Sequence, residues 1–303
     1  MRSSICRLFP VIGLAALFMF AAGSAACRSK EPDAAPVATP EVTIARPRAP
    51  LGSPLEITYK FLVAGDAHFD QDYRVLVHVV DAEEELIWTD DHNPPTPTTQ
   101  WKAGQTVAYT RTVFVPLCPY LGEVTVQIGL YSTATKKRIP LSGEDVGQRA
   151  YKVARFLLLP QTENVPVLFK DGWHPVEVAE HSSCTSVEWQ WSKKDATIVF
   201  KNPKKDATVY LDLDNPGSAF QETQQVRVSL GGGQTVDSFA VTPKQQLLRK
   251  IPLTTGQLGT AEMVELQIDV DKTFVPAQLP ASGSKDPREL GVRVFHAFVQ
   301  AAP

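Results

Sequence analysis

Leu55-Glu56-Ile57-Thr58-Tyr59-Lys60-Phe61-Leu62-Val63 is the stretch on which the fold is decided. Leu55, Ile57, Tyr59, Phe61 and Val63 fall on one face of an extended chain, with Glu56, Thr58 and Lys60 opposite. Side chains alternate across a strand with period two, whereas a helix would scatter these apolar positions around its circumference. The pattern returns at Tyr73, Val75, Val77 and Val79, at Val107, Tyr109, Arg111, Val113 and Val115, and at Val124, Val126, Ile128 and Leu130. Residues 151–159 supply a further strand. Beyond them, strands are expected at 196–200, 207–214, 226–230, 247–253, 263–271 and 291–299, with a hairpin turn at Gly231-Gly232-Gly233. Short strands broken by Pro and Gly turns predict an all-β chain of two β-sandwich domains. The first spans 51–160. The second, with some eight strands in about 135 residues, spans 167–303 and is expected as a jelly roll, with residues 160–166 as the joint.

Bulk properties agree with a folded, loop-rich β protein. Of 303 residues, 43% are hydrophobic, and there are 24 prolines and 18 glycines. The net charge of −3 supplies no basic field for nucleic acid, so no nucleic-acid partner is expected.

The N-terminus carries a different signal. Arg2 and Arg7 precede an apolar run at residues 8–22, which small residues, Gly23-Ser24-Ala25-Ala26, separate from Cys27. That is the layout of an export signal, its apolar run of about 15 residues being short for a membrane span of roughly 20. A cysteine at this point resembles the lipobox of bacterial lipoproteins, although Ser24 stands where leucine is usual. The resemblance implies a signal peptide at 1–26 and an acylated Cys27 as mature N-terminus and membrane anchor; ordinary secretion is the alternative. Arg28 stands where an aspartate would retain some lipoproteins at the inner membrane, which favours the outer membrane. Residues 27–50, with Pro32, Pro36, Pro40, Pro47 and Pro50 among alanines, are expected to form an extended tether, with a strand admitted only for the last few residues.

Both sandwiches carry family resemblances. In the first, Tyr73-Arg74-Val75-Leu76-Val77-His78-Val79-Val80-Asp81, Asp90-Asp91-His92-Asn93-Pro94-Pro95, Gln100-Trp101-Lys102-Ala103-Gly104, Gly129-Leu130-Tyr131 and Lys137-Arg138-Ile139-Pro140 are the motifs. Together they resemble an immunoglobulin-like module of bacterial envelope proteins, also appended to membrane glycosyltransferases, and imply a non-catalytic, accessory role. Leu117-Cys118-Pro119-Tyr120 departs from the Gly-rich turn usual there. In the second, Gly172-Trp173-His174-Pro175-Val176-Glu177, Val187-Glu188-Trp189-Gln190-Trp191, Phe274-Val275-Pro276-Ala277 and Asp286-Pro287-Arg288-Glu289-Leu290-Gly291-Val292 occur in order. They resemble a galactose-binding-type jelly roll that accompanies proteins of bacterial surface-polysaccharide assembly. That resemblance implies a fold and a glycan context but no ligand set or catalytic residue.

Candidate binding residues follow from side-chain chemistry. Trp173, Trp189 and Trp191 lie within about twenty residues, and an indole stacks on the C–H faces of sugars while carboxylates and guanidinium groups bond hydroxyls. Glu177, Asp286, Arg288 and Glu289 are the polar candidates. The competing reading makes the tryptophans core and the charges mutual partners that pin strand ends. Cys118 and Cys184 are a candidate disulfide, worth about 4 kcal/mol for so long a loop, against the alternative of two buried thiols. Asp212-Leu213-Asp214-Asn215-Pro216-Gly217 starts like a calcium loop but has Pro216 at the fifth position and Thr223 at the twelfth, which predicts a turn built on Asp and Asn side chains instead. Asp90-Asp91-His92 is expected in a solvated loop.

No H-E-x-x-H, G-x-S-x-G or phosphate loop occurs. The expectation is therefore a non-enzymatic, lipid-anchored envelope protein without cofactor or metal, whose partners are polysaccharide or envelope proteins. The alternatives are a purely structural spacer and, third, a carbohydrate-active enzyme, which would need two carboxylates across a cleft.

Overall fold

The alternating stretch at 55–63 lies in the middle strand of a three-stranded sheet, its inward side chains wholly buried. The computed structural model describes residues 34–118, 120–179, 187–218, 220–280 and 282–302. The expected signal peptide, the anchor Cys27, the first part of the tether and Cys184 lie outside the described residues.

The first ten strands are β1 (Ala38–Ile44), β2 (Arg48–Pro50), β3 (Pro54–Val63), β4 (Arg74–Val80), β5 (Leu86–Thr89), β6 (Thr106–Phe114), β7 (Gly122–Tyr131), β8 (Arg138–Ile139), β9 (Glu144–Asp145) and β10 (Tyr151–Leu159). One sheet runs β1-β3-β6. The other runs β2-β10-β7-β4-β5, with β8 on β7 and β9 on β10. Tyr59 and Phe61 from one sheet and Val77, Val126 and Ile128 from the other share one hydrophobic cluster. Burying a side chain of this size stabilises the fold by about 1.5–3 kcal/mol, which explains why the inward positions are uniformly large and apolar.

Residues 38–50 correct the expected tether. Ala38, Pro40, Val42 and Ile44 turn inward and Thr39, Glu41 and Thr43 outward, in full antiparallel register with β3. β2 lies parallel to β10. Both strands are sheet edges, where a residue without an N–H leaves no ladder bond unmade, so Pro40 and Pro50 are compatible with strand. Proline density reads as tether in the sequence because edge position is not visible there.

The remaining strands are β11 (Val167–Phe169), β12 (Glu177–Ala179), β13 (Val187–Trp191), β14 (Asp195–Lys201), β15 (Ala207–Asp214), β16 (Gln224–Leu230), β17 (Gln234–Val241), β18 (Gln246–Leu253), β19 (Met263–Val270) and β20 (Arg293–Ala301). They make two five-stranded sheets, β11-β14-β19-β16-β17 and β12-β13-β20-β15-β18, around a second core of Ile198, Phe200, Leu211, Leu213, Leu266 and Ile268 among others. The Gly231–Gly233 hairpin joins β16 to β17 as expected. β17 has no clean alternation to announce it, and with β11 and β12 it raises the strand count above the expected eight. Among the described residues one short α-helix, α1 (Thr255–Leu258), starts at a capping box in which Thr254 and Gln257 bond each other's backbone N–H.

The architecture is all-β, of the sandwich or jelly-roll kind. Residues 34–303 cluster as one compact unit, without a sharp division into two domains. Asn164 in the expected joint donates to the Leu51 carbonyl at 2.8 Å, and Lys250 in β18 pairs with Glu56 in β3. Cys118 is buried. Among the described residues no helix is long and apolar enough to cross a membrane.

Candidate functional site

Strand register gathers most of the expected binding residues. β12 pairs with β13 so that Glu177 stands opposite Trp189, which puts the two side chains next to each other. The Trp189 Nε1–H donates to Glu177 Oε2 at 3.1 Å. Segment 275–291 is folded back by two backbone bonds between Phe274 and Leu290, of 2.9 and 2.8 Å, and delivers Asp286, Arg288 and Glu289 to the edge of β12. Arg288 Nη2 then lies 2.8 Å from Glu177 Oε1 and 2.7 Å from Asp286 Oδ2.

The electrostatics of this cluster follow from the shared guanidinium. Hydrogen bonds from Arg288 hold the Asp286 carboxyl below the usual carboxylate range. Asp286, and then Glu177, push the Arg288 guanidinium up, so it stays charged. His174 joins the group through Nε2, 2.7 Å from the Glu289 carbonyl, and Gln190 Nε2 donates to the His174 carbonyl at 3.0 Å. The Glu289 carboxylate accepts from Thr273 Oγ1 at 2.6 Å. The result is a half-buried indole on β13, framed by fixed donors and acceptors, next to the edge strand β12.

The three tryptophans do not act alike. Trp191 is buried and packs with Phe274 and Leu290 in a small cluster of its own. Trp173 turns to the main core, edge-on to Phe169, with its Nε1–H donating to the Thr197 carbonyl at 2.8 Å. Gly172 fixes that turn: its φ is +79°, and a Cβ there would sit 1.9 Å from the Asp195 carbonyl oxygen. Trp173 and Trp189 are both half-buried, but it is Trp189, packed on the small Trp191 cluster, that bonds Glu177 in the polar frame.

Sequence reasoning missed what lies beneath Trp189. Arg293 in β20 places its guanidinium 5.3 Å from the Trp189 ring, 5.9 Å from Trp191 and 4.8 Å from Phe295, and pairs with Asp214 through two bonds of 2.8 and 2.6 Å. Asp212 and Asp214 lie in β15, within the expected strand at 207–214; both Asp212 oxygens accept from Gln246 Nε2, and Oδ2 lies 3.0 Å from His296 Nδ1. Of that expected turn only the Asn215 part forms, its Oδ1 accepting from Gly217 N at 3.0 Å.

Asp90-Asp91-His92 corrects the expected solvated loop. His92 is buried, with Nε2 2.7 Å from the Tyr109 hydroxyl, and Asp90 accepts from Tyr59 at 2.9 Å and from Arg111 at 3.0 and 2.9 Å. Burial first, then Asp90, pushes the Tyr59 hydroxyl far up, and burial holds His92 below its ordinary value. Among the described residues no three His, Cys, Asp or Glu side chains converge as metal ligands. Asp90, Glu188 and Asp212 all line a cleft of about 1080 Å³, but Asp90 and Asp212 are already clasped by the partners just named.

No protein-family model matches the chain, and no curated protein does. Solved structures with some likeness include a family 35 carbohydrate binding module from Clostridium thermocellum, 8% identical, covering 45% of this chain and 99% of that one at a TM-score of 0.28. A family GH115 4-O-methyl-α-glucuronidase with specificity for decorated arabinogalactans is 16% identical over 46% of this chain at a TM-score of 0.29, and the Bacteroides uniformis β-glucuronidase is 9% identical over 87% at 0.26. This chain spans 18% and 30% of those two glucuronidases. Likeness at these scores carries no inference about ligand or activity.

Proposed function

We propose that the protein is a non-enzymatic accessory module of the bacterial cell envelope that binds glycan through the Trp189 cluster. One observation carries this reading: a half-buried indole whose N–H is committed to Glu177, with Glu177 and Asp286 both held by Arg288. The arrangement leaves aromatic surface next to polar groups whose orientation is fixed before any ligand arrives, which lowers the entropic cost of binding a hydroxylated ring. An immunoglobulin-like sandwich over 51–160 and a galactose-binding-like jelly roll over 167–303, joined at 160–166, would present that edge away from a membrane. Acylation of Cys27 behind a signal peptide at 1–26, with several fatty chains, would anchor it durably, and the outer membrane is the proposed location. Mass spectrometry of the natural product tests the anchor: a chain beginning at acylated Cys27 is expected, and one still beginning at Met1 overturns it.

The binding test is a screen of the full-length protein against envelope polysaccharides, read by tryptophan fluorescence. A shift that Trp189→Ala abolishes and Trp173→Ala leaves intact, with both variants folded, is the expected result. A second reading, a structural spacer with no ligand, is favoured by Trp173 and Trp191, whose rings are used in packing. Silence against every polysaccharide would select it.

A further inference from the structure

A cavity where the strands of the first half meet those of the second borders the Trp189 cluster through Phe295, whose ring contacts Trp189 on one side and lines the cavity on the other. Its volume is about 1080 Å³, and both halves line it. That is at the upper end for a small-molecule site and far more than an ion needs. Phe114 at the end of β6 and His296 in β20 meet in it, stacked at 3.9 Å with their planes 4° apart.

Two polar groups in this cleft are held from behind by buried carboxylates. Asp212 is nearly buried, and both its oxygens accept from Gln246, at 2.8 and 3.0 Å. His296 Nδ1 faces Asp212 Oδ2 at 3.0 Å. A carboxylate only accepts, so Nδ1 carries the proton, and in the neutral ring Nε2 is an acceptor on the side away from Asp212. On the other wall Arg111 donates through Nε and Nη2 to Asp90, which the Tyr59 hydroxyl also supports. Arg111 Nη1 has no partner among the described residues, and the side chain is 38% exposed. An oriented acceptor and an oriented donor therefore stand in one cleft. Phe169 and Phe295 supply apolar wall, and the exposed Thr162 lies at the margin.

We propose that this cleft is a second carbohydrate site, taking a neutral glycan segment of a few rings. The inference rests on the glycan-binding reading of the Trp189 cluster. Arg111 neutralises Asp90, whereas Asp212 is hydrogen-bonded by the neutral Gln246 and faced by His296, and Glu188 adds a further carboxylate, so the cleft offers no positive field to an anion. A sugar hydroxyl both donates and accepts, which suits the His296 acceptor and the Arg111 donor, while the C–H faces of the rings suit the phenylalanine walls.

The test is calorimetric titration of the full-length protein in detergent with neutral linear tetrasaccharides of glucose, galactose and mannose, each in turn. Thr162→Trp fills the cleft from an exposed position, and His296→Ala removes the acceptor. Two binding events are expected for at least one sugar: Thr162→Trp removes one, His296→Ala weakens the same one about tenfold, and Trp189→Ala removes the other. If Trp189→Ala abolishes all binding and neither cleft variant changes it, the cleft proposal is overturned while the first reading stands. If Trp189→Ala has no effect and Thr162→Trp abolishes binding, the cleft is upheld and the first reading falls. No heat with any of the three sugars overturns the cleft site.

Discussion

Asp90 and Asp286 are both carboxylates clasped by an arginine, and what surrounds them differs. Asp90 is 11% exposed, takes two bonds from Arg111 and one from Tyr59, and sits beside the buried His92. Asp286 is 24% exposed and shares Arg288 with Glu177 on the edge of a sheet. In the first group the Asp90 carboxylate and the His92 ring are engaged inside the fold, with Arg111 Nη1 left facing the cleft. Losing a partner there leaves a polar group with little solvent unpaired. In the second, Asp286 and Arg288 keep part of their surface in solvent, where a ligand hydroxyl can reach them. The two groups thus differ most at the carboxylate, Asp90 being less exposed and held by more partners than Asp286.

The largest expected effect probes what supports the exposed group. Trp191→Ala should cost about 3–5 kcal/mol in urea unfolding, because it empties the contact with Phe274 and Leu290 beneath the cluster. A loss under about 1 kcal/mol would mean that this corner is not packed as described. Asp90→Asn should cost about 2–4 kcal/mol, somewhat below a fully buried pair because Arg111 retains solvent contact. Arg288→Ala should cost about 1–2 kcal/mol, less than Asp90→Asn because Asp286 retains more solvent contact than Asp90, while weakening glycan binding. Reversal of those last two values would break the comparison.

Acid should separate the two groups as well. Burial holds His92 and His78 below the ordinary value of 6.5. The unfolded chain takes up protons near pH 6.5 and the folded chain does not, so stability is full above that pH. It falls below it, by at most about 1.4 kcal/mol per pH unit for each histidine, until the folded rings protonate too. Asp286 acts in a lower window, its contribution being present above the unfolded carboxylate value near 4 and lost as pH falls through its depressed folded value. Urea midpoints at pH 7.5 and 5.5 should differ in the wild type and differ less in His92→Gln. Equal slopes in the two proteins would remove His92 from the account.

Much of this was legible in the sequence wherever a strand is apolar on one face only. β3, β15 and β19 fall where strands are expected, and Arg288 pairs with Glu177, as the structural reading of those charges has it. β1 and β2 were hidden by prolines that only an edge position excuses. Trp173 was equally conspicuous in the sequence, yet the close approach at Gly172 turns its ring to the core. The Arg293–Asp214 pair joins residues 79 positions apart, and no local pattern announces a contact of that range. An arginine and a phenylalanine at 293 and 295, alternating in an expected strand, were the only hint.

Hydroxyl-radical footprinting with mass spectrometry, with and without envelope polysaccharide, tests the central claim most directly. The account predicts that Trp189 is oxidised in the free protein and protected by polysaccharide, while Trp173 and Trp191 stay lightly labelled in both. Oxidation of Trp189 that polysaccharide leaves unchanged at saturating concentration would contradict it.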